Sequence, residues 1–125
     1  MGHTFRNIKV WQKAHELVLE IYRQTKLFPY SERYGLTSQL RRSAASIATN
    51  IVEGYKRKSD KAFYNYLNMA DGSLEETKYH LLLAHDLKYL KETEYNKLAN
   101  IADEIGKMLY GFQRKLRNEA ISCKL

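Results

Sequence analysis

The sequence is poor in the residues that carry covalent and metal chemistry. Its 125 residues include one cysteine, Cys123, and one proline, Pro29, so a disulfide framework of the kind found in small secreted domains is excluded. No apolar run approaches the roughly 20 residues that a membrane-spanning helix needs. Residues 1–7 carry no apolar signal region. We therefore expect a soluble protein in the cytoplasm, with no membrane partner.

Motifs for catalysis and metal binding are also missing. The sequence has no glycine-rich phosphate loop, no Cys-x-x-Cys and no nucleophile paired with a base. Cys123 has no neighbouring histidine, so we interpret it as a free thiol. The nearest approach to a metal site is Glu76 with His80, but di-metal bundles use Glu-x-x-His pairs in more than one copy. We expect no enzymatic activity, no catalytic residues, no metal and no cofactor.

What the sequence does contain is helical periodicity in four segments. Apolar residues recur at helical spacing from Ile8 to Leu27, from Leu36 to Gly54, from Ser59 to about Leu90, and from Thr93 to Leu116. No segment alternates with a period of two, so strands are not expected. Short links between amphipathic helices favour antiparallel neighbours. We predict an all-α fold, an antiparallel up-and-down four-helix bundle. Residues 1–125 form its single domain, with a short basic C-terminal tail; three long helices with a docked tail are the alternative.

The predicted helix boundaries depend on capping residues. Ser31 or Thr37 is suited to cap the second helix, and Gly54 is expected to end it. Ser59 and Thr93 stand where caps of the third and fourth helices are needed.

The second predicted helix carries three different faces. An apolar face is expected to point to the core: Leu36, Leu40, Ala44, Ile47, Ile51 and Tyr55. A polar face follows the same spacing: Gln39, Arg42, Ser46, Asn50, Glu53 and Arg57. A small-residue face lies between them: Ser38, Arg41, Ala45, Thr49 and Val52. Small residues let another helix approach closely. Gly72 costs its helix about 1 kcal/mol relative to alanine, and we predict the close approach of a neighbouring helix there, with this face as the candidate; a functional backbone site is the alternative.

The polar face is also a candidate site. Its five central residues form the candidate polar network or subunit interface: Gln39, Arg42, Ser46, Asn50 and Glu53. We interpret them as a hydrogen-bonded network around an Arg42–Glu53 ion pair, extended to Ser73 or Glu76 of the third helix. Networks of this kind fix the register between helices or subunits. An active site is the alternative, although the group lacks a nucleophile.

Positive charge is concentrated in two segments of a chain with a formal net charge of +7. Residues 41–61 hold six basic side chains against Glu53 and Asp60, and residues 107–124 hold five against Glu119. Clustered positive charge attracts polyanions, with strong salt dependence. Tyr55 and Tyr64, beside the first segment, are suited either to stack on bases or to pack half-buried. The alternative is that the charge serves only solubility.

The chain from Phe5 to about Leu90 resembles a known family. The resemblance rests on segments 5–14, 28–29, 34–42, 46–47, 50–54 and 72–76, which include Asn-Ile-Val-Glu-Gly and Gly-Ser-Leu-Glu-Glu. They are similar to small four-helix bundle proteins related to open reading frames in the intervening sequences of bacterial 23S rRNA genes. Ala48 departs from the pattern, because relatives usually have proline after Ser-Ile. Without that proline the second helix is expected to be straighter.

The resemblance implies assembly and a class of partner. It implies a homopentameric barrel and a close relative in the accessory protein of diversity-generating retroelements, a basic ring that engages nucleic acid and a reverse transcriptase. Carried over by charge, the nucleic-acid-binding candidates are Arg41, Arg42, Lys56, Arg57, Lys58 and Lys61. We predict a non-enzymatic homo-oligomer, expected to be a pentamer, that binds RNA or DNA with little sequence preference as an accessory or scaffold. The alternative is a protein-interaction module that recruits a partner protein such as a reverse transcriptase, with no nucleic-acid role.

Overall fold

The computed structural model describes residues 4–124, with the backbone alone for residues 119–124. Within that range the fold consists of four α-helices and two short 3-10 turns, and it has no strand. The helices are α1 (Lys9–Thr25), α2 (Leu36–Tyr55), α3 (Asp60–Asp86) and α4 (Glu92–Lys124). The 3-10 turns, Phe5–Asn7 and Tyr30–Glu32, precede α1 and α2. The all-α prediction is confirmed, and the chain forms a four-helix bundle.

The core forms because every helix repeats an apolar residue each three or four positions and buries that stripe. The largest fully buried side chains are Leu17 and Ile21 of α1, Leu40, Ile47 and Ile51 of α2, Leu67, Leu74 and Leu81 of α3, and Leu98, Ile105 and Leu109 of α4. Burying one such side chain contributes about 1.5–3 kcal/mol. The apolar face predicted for α2 is therefore the face that holds this helix in the bundle.

The four helices contact one another in a ring, α1 with α2, α2 with α3, α3 with α4, and α4 with α1. The contact between α2 and α3 is the most extensive. Near the start of α3, the Phe63 ring lies 5.1 Å from the Phe112 ring of α4. At the end of α3, His85 contacts Glu92 in the first turn of α4. The start of α3 therefore lies beside the C-terminal half of α4.

The start of α2 differs from the prediction. Neither Ser31 nor Thr37 caps it: Ser31 lies in the 3-10 turn, and Thr37 is already inside the helix. The capping position is Gly35, and the Glu32 carboxylate accepts a hydrogen bond from the Leu36 backbone N–H at 3.1 Å. A carboxylate is well suited to this place, because the free N–H groups of a helix start carry partial positive charge.

At both ends of α3, backbone groups form hydrogen bonds with residues close by in the sequence. Ser59 caps its start as predicted, since its hydroxyl accepts from the Ala62 N–H at 3.1 Å. The helix ends at Asp86, earlier than the predicted Leu90. Lys88 adopts a left-handed conformation with φ 70°, and the Tyr89 N–H donates to the Ala84 carbonyl at 2.9 Å. This is the hydrogen-bond pattern of a Schellman turn, in which glycine is the usual residue.

The fourth helix is longer than the sequence pattern suggests. It begins at Glu92, so Thr93 lies within the first turn rather than before it. It continues to Lys124, so the basic C-terminal segment is part of the helix. The side chain of Cys123, like residues 1–3, lies outside the described part of the chain. None of the helices within residues 4–124 combines the length and the apolar composition that crossing a bilayer requires.

Two glycines differ from the roles that the sequence suggests for them. Gly54 lies inside α2 and is buried, and a Cβ atom there would stand 2.7 Å from Tyr66 Cβ and 2.8 Å from Phe63 Cδ1. It therefore permits the close approach of α3 rather than ending α2. A Cβ on Gly72 would meet nothing within 4 Å, so the predicted packing of Gly72 against α2 is wrong. Gly72 is exposed on α3, and the close approach of α2 and α3 occurs at Gly54 instead.

Candidate nucleic-acid interface

Arg41 is built into the contact between α1 and α2. Its Nε donates to the Thr25 hydroxyl at 2.8 Å, and its guanidinium lies 4.5 Å from the centre of the Tyr22 ring. Thr25 is buried and also donates to the Ile21 carbonyl at 2.7 Å. Arg41 thus completes the hydrogen bonding of a buried hydroxyl, and its charge is held against α1.

Arg42 points to the opposite side of α2. It donates to Gln39 Oε1 at 2.9 and 3.1 Å and forms an ion pair with Glu76 of α3. The guanidinium therefore joins α2 to α3. Fifteen positions separate Arg42 from Arg57, about 22 Å along the helix, so the structure divides the six basic candidates into two separate groups.

The second group occupies the turn between α2 and α3 and its edges. Lys56, Arg57, Lys58 and Lys61 are all exposed. Arg57 donates to the Tyr66 hydroxyl at 2.6 Å, lies over the Tyr66 ring at 4.9 Å and pairs with Glu53 at 3.5 Å. Arg57 therefore braces the turn. The three lysines are exposed and add their positive charge to this turn.

The second basic segment of the sequence lies beside this turn. Gln113 of α4 donates its Nε2 hydrogens to the Tyr64 carbonyl at 3.5 Å and to Asn68 Oδ1 at 2.7 Å. These bonds hold the following turn of α4, which carries Arg114 and Arg117, next to the first turns of α3. Two basic segments that are about fifty residues apart in sequence are thus joined at one end of the bundle, here called the basic end.

The start of α1 adds to the basic end. An apolar cleft of about 510 Å³ separates the beginning of α1 from the C-terminal half of α4, and Lys9 and Lys115 stand on its walls. Its floor is formed by Ile8, Val10, Met108, Gly111, Phe112 and Leu116. Basic side chains therefore lie at this end on α1, α3 and α4 and in the turn that follows α2.

The tyrosines near the basic turn have different environments. Tyr55 is half-buried, with its ring 6.5 Å from that of Phe63, so its role is packing. Tyr64 lines a polar cleft of about 310 Å³ between α3 and α4, together with Tyr110, Gln113, Arg114, Arg117 and Asn118. Tyr110 was not singled out from the sequence, and Arg114 and Arg117 were identified only as members of the second basic segment. Their spacing of i, i+4 and i+7, which places them on one face of α4, is the signal that identifies them.

The polar face of α2 forms a network within the chain. The Ser46 and Ser73 hydroxyls lie 2.9 Å apart, and Asn50 Nδ2 donates to the Ser46 carbonyl at 2.9 Å. Arg42 pairs with Glu76 rather than with Glu53. Glu53 lies at the other end of this face and forms an ion pair with Arg57 of the basic turn. The network therefore joins α2 to α3, and sequence reasoning placed its ion pair wrongly.

Three further residues belong to this network: Ser43 and Thr77 were not identified from the sequence, and His80 was considered with Glu76 only as a candidate metal site. Ser43 and Thr77 are completely buried, with hydroxyls 2.9 Å apart. His80 Nδ1 lies 3.3 Å from the Ser43 hydroxyl, and its Nε2 lies 3.8 Å from Glu76. Among the residues whose side chains are described, every buried side-chain nitrogen and oxygen has a hydrogen-bond partner. Such completeness is expected of a network that specifies helix register.

Comparison with known proteins now identifies the family. A family model described as 23S rRNA-intervening sequence protein matches residues 6–111. The chain belongs to this family. Among solved structures, it is similar to a protein of unknown function from the S23 ribosomal protein family of Bacteroides thetaiotaomicron VPI-5482. The two share 30% identity over 83% of this chain and 97% of the other, with a TM-score of 0.77. A search of curated proteins found no match.

Two histidines, His80 and His85, have pKa values that their neighbours shift in opposite directions. Burial lowers the pKa of His80 below its ordinary value, and the Arg42 charge lowers it further, while Glu76 acts to raise it. Hydrogen bonds to Asp86 and Glu92 raise the pKa of His85. Within the described residues, no group of three or more His, Cys, Asp and Glu side chains is arranged to hold a metal ion.

Proposed function

We propose that this protein is a non-enzymatic, homo-oligomeric helical bundle whose basic end binds RNA or DNA with little sequence preference, as an accessory or scaffold. The contact surface comprises Lys56, Arg57, Lys58 and Lys61 at the turn between α2 and α3. The proposal is supported above all by the placement of Arg114 and Arg117 beside that turn, through the Gln113 bonds to Tyr64 and Asn68.

Clustering is what makes this placement relevant to binding. A polyanion gains from each phosphate that a Lys or Arg neutralises, because condensed counterions are released. Cations that are spread evenly over a surface cannot contact one strand together, whereas cations at one end of a bundle can. Arg41 and Arg42, although candidates by charge, are held against Tyr22 and Glu76. We assign them to the stability of the bundle.

The proposal takes the bundle to be antiparallel and up-and-down. Between α1 and α4, Lys13 pairs with Glu104 at 2.8 Å, and Lys97 pairs with Glu20 at 3.4 Å. The residue nearer the end of α1 therefore pairs with the residue nearer the start of α4. The pairs Phe63–Phe112 and His85–Glu92 run in the same opposed order between α3 and α4. This is the order expected of antiparallel neighbours joined by short links.

Self-association is proposed through the outer face of α3. Met69 and Tyr79 are exposed large apolar residues on this helix, and Gly72 between them is open to solvent. An exposed glycine inside a helix costs stability without a packing benefit in the single chain, and contact with a second copy would supply that benefit. The family resemblance supports a pentamer. Five copies would multiply the basic ends presented to one strand.

A protein-interaction module remains the second candidate, and the same exposed face of α3 favours it. The partner would then pack on Met69 and Tyr79, and the positive charge would serve solubility. A reverse transcriptase is the partner class that the family resemblance suggests. A partner that is recovered by pull-down after nuclease treatment, from a protein that does not bind labelled RNA, would favour this candidate.

The direct test is fluorescence anisotropy with a labelled single strand of about 16 nucleotides, at about 50 mM and about 200 mM salt. We expect binding at low salt that weakens steeply at high salt. Lys58→Glu with Lys61→Glu should reduce the affinity by about tenfold or more, because phosphate contacts are lost. The matched control is Lys26→Glu with Lys91→Glu, an equal charge change in the links at the opposite end.

Two results would reject the proposal. If the unaltered protein fails to bind the strand at low salt, the basic end is not a nucleic-acid interface. If the two double variants lose affinity equally, the binding follows overall charge and the site assignment is wrong. Circular dichroism of each variant establishes that the helices are intact.

A further inference from the structure

The cleft between α3 and α4, defined above by Tyr64, Tyr110, Gln113, Arg114, Arg117 and Asn118, lies beside the basic turn. Its volume is about 310 Å³, and Tyr110 is 67% exposed. Among its described lining residues there are two arginines and two tyrosines but no carboxylate. An exposed aromatic ring beside paired guanidinium groups is the arrangement that binds an unpaired nucleotide, by stacking on the base and neutralising the phosphate.

We propose that this cleft is a subsite for one unpaired nucleotide of a single strand. Arg114 and Arg117 hold backbone phosphate, and the Tyr110 ring stacks on the base. The inference rests on the proposed function, because the strand that enters the cleft is the strand attracted by the basic end. It adds a contact that charge alone does not provide, namely a preference for unpaired over paired nucleic acid.

The geometry of α4 supports the assignment of these roles. Tyr110, Arg114 and Arg117 follow one another at i, i+4 and i+7, so they share one face of the helix. Tyr110 also lines the neighbouring cleft of Lys78, Asp103, Gly106 and Lys107, so the same face continues with a further lysine. From Lys107 to Arg117 the face extends about 15 Å, room for a strand to lie along the helix with more than one phosphate in reach.

Hydrogen bonds between Gln113 and α3 fix the two helices that line the cleft relative to each other. The Gln113 amide is tied to α3 by its bonds to the Tyr64 carbonyl and to Asn68. The backbone of α3 therefore forms the wall opposite Arg114. The site begins three residues after Lys61, so a strand that leaves the α2–α3 turn enters the cleft directly.

The test uses the whole protein and the anisotropy assay, with single-stranded RNA, single-stranded DNA and duplex DNA as probes. Tyr110→Ala should weaken single-strand binding by about tenfold, the effect expected of one stacked base. Tyr110→Phe keeps the ring and should bind as the unaltered protein does. Duplex binding should not change in either variant, because paired bases cannot stack on the ring. If Tyr110→Ala loses affinity for both single-stranded RNA and single-stranded DNA, the subsite binds either kind of unpaired nucleotide. If the loss is confined to one of them, the subsite is assigned to that kind of strand.

Arg114→Gln with Arg117→Gln tests the phosphate contacts. The salt dependence of single-strand binding, measured as log Kd against log salt, should become shallower by about 1.4 if both side chains neutralise a phosphate. Lys26→Gln with Lys91→Gln is the control with the same loss of charge at the other end, and it should leave the slope unchanged.

The outcomes separate this inference from the function on which it rests. If Lys58→Glu with Lys61→Glu abolishes binding while the Tyr110 and Arg114 variants bind normally, the basic end stands and the cleft proposal is overturned. If Tyr110→Ala weakens duplex and single-strand binding equally, stacking is overturned. If the unaltered protein binds no strand at low salt, both proposals fail.

Discussion

The hydroxyl groups of Ser43 and Thr77 lie 2.9 Å apart at a place where both side chains are fully buried. Thr77 Oγ1 is also 2.8 Å from the Ser73 carbonyl, and Ser43 Oγ is 3.3 Å from the Leu40 carbonyl. These two buried polar residues help to fix how α3 is rotated and shifted against α2. Any other register would break the bond between the two hydroxyls and leave each with only a carbonyl of its own helix as a partner.

Replacing Thr77 with valine tests the cost of breaking this pair. The shape of the side chain is retained and the hydroxyl is lost, so we expect the free energy of unfolding to fall by about 1–2 kcal/mol. The matched control is Thr49→Val on the exposed side of α2, where the hydroxyl bonds to the Ala45 carbonyl at 2.9 Å. That change should stay within about 0.5 kcal/mol. Urea unfolding followed by circular dichroism measures both, and equal stabilities would contradict a structural role for the buried pair.

Gly54→Ala tests the close approach of α2 and α3. Alanine is the better helix former, yet its Cβ would stand 2.7 Å from Tyr66 Cβ. Overpacking of this kind costs about 1–3 kcal/mol, more than the gain of about 1 kcal/mol in helix propensity, so we expect net destabilisation. The control is Gly111→Ala, since a Cβ on Gly111 meets nothing within 4 Å. It should raise the melting temperature, and a rise for both variants would show that α3 can move away from Gly54 without cost.

The pattern of the sequence predicts the parts of this fold that depend on one helix at a time. The burial of Leu40, Ile47 and Ile51 follows from period alone, because an apolar stripe must be covered. The burial of Ser43 and Thr77 does not, because a small polar residue suits both solvent and interior, and only the facing helix decides. For the same reason the sequence misassigns Gly54 and Gly72.

In the candidate site, too, the sequence predicts what depends on one segment and misses what depends on the packing of two helices. The sequence identifies the exposed cations of the α2–α3 turn, because a charged run between helices lies in solvent. It does not reveal that Arg41 is held by Thr25 and Tyr22, which lie on another helix. Nor does it bring Arg114 next to Tyr64, since that proximity depends on how α4 packs against α3. The sequence pattern does not show which residues of different helices lie side by side.

Gly72→Arg tests the outer face of α3 as the surface of self-association. A long charged side chain at this position would have space in the single chain, because a Cβ there meets nothing within 4 Å. It should therefore leave the fold intact and reduce the particle mass measured by light scattering after size exclusion. Gly111→Arg is the same substitution at the other exposed helical glycine, and its mass should match that of the unaltered protein. A Gly72→Arg particle of unchanged mass would move the interface elsewhere.

The pKa of His80 reports the electrostatics of the α2–α3 network. Its folded pKa lies below the ordinary value of 6.5 because the ring is partly buried, so the folded state favours the neutral ring. The unfolded chain therefore takes up the proton first as the pH falls, and this contribution to stability, complete above pH 6.5, is lost between 6.5 and the folded pKa. His80→Gln should remove that part of the acid sensitivity, which unfolding curves across this range would detect.

Titration of the ring followed by NMR distinguishes the causes. Arg42→Gln removes a positive charge and frees Glu76, so the pKa of His80 should rise, whereas Glu76→Gln removes the stabilising carboxylate and should lower it. His85 is the internal control, because its raised pKa depends on Asp86 and Glu92 and should move in neither variant. If neither variant shifts the pKa of His80, the ring does not sense the Arg42–Glu76 pair, and the network ends at Ser43.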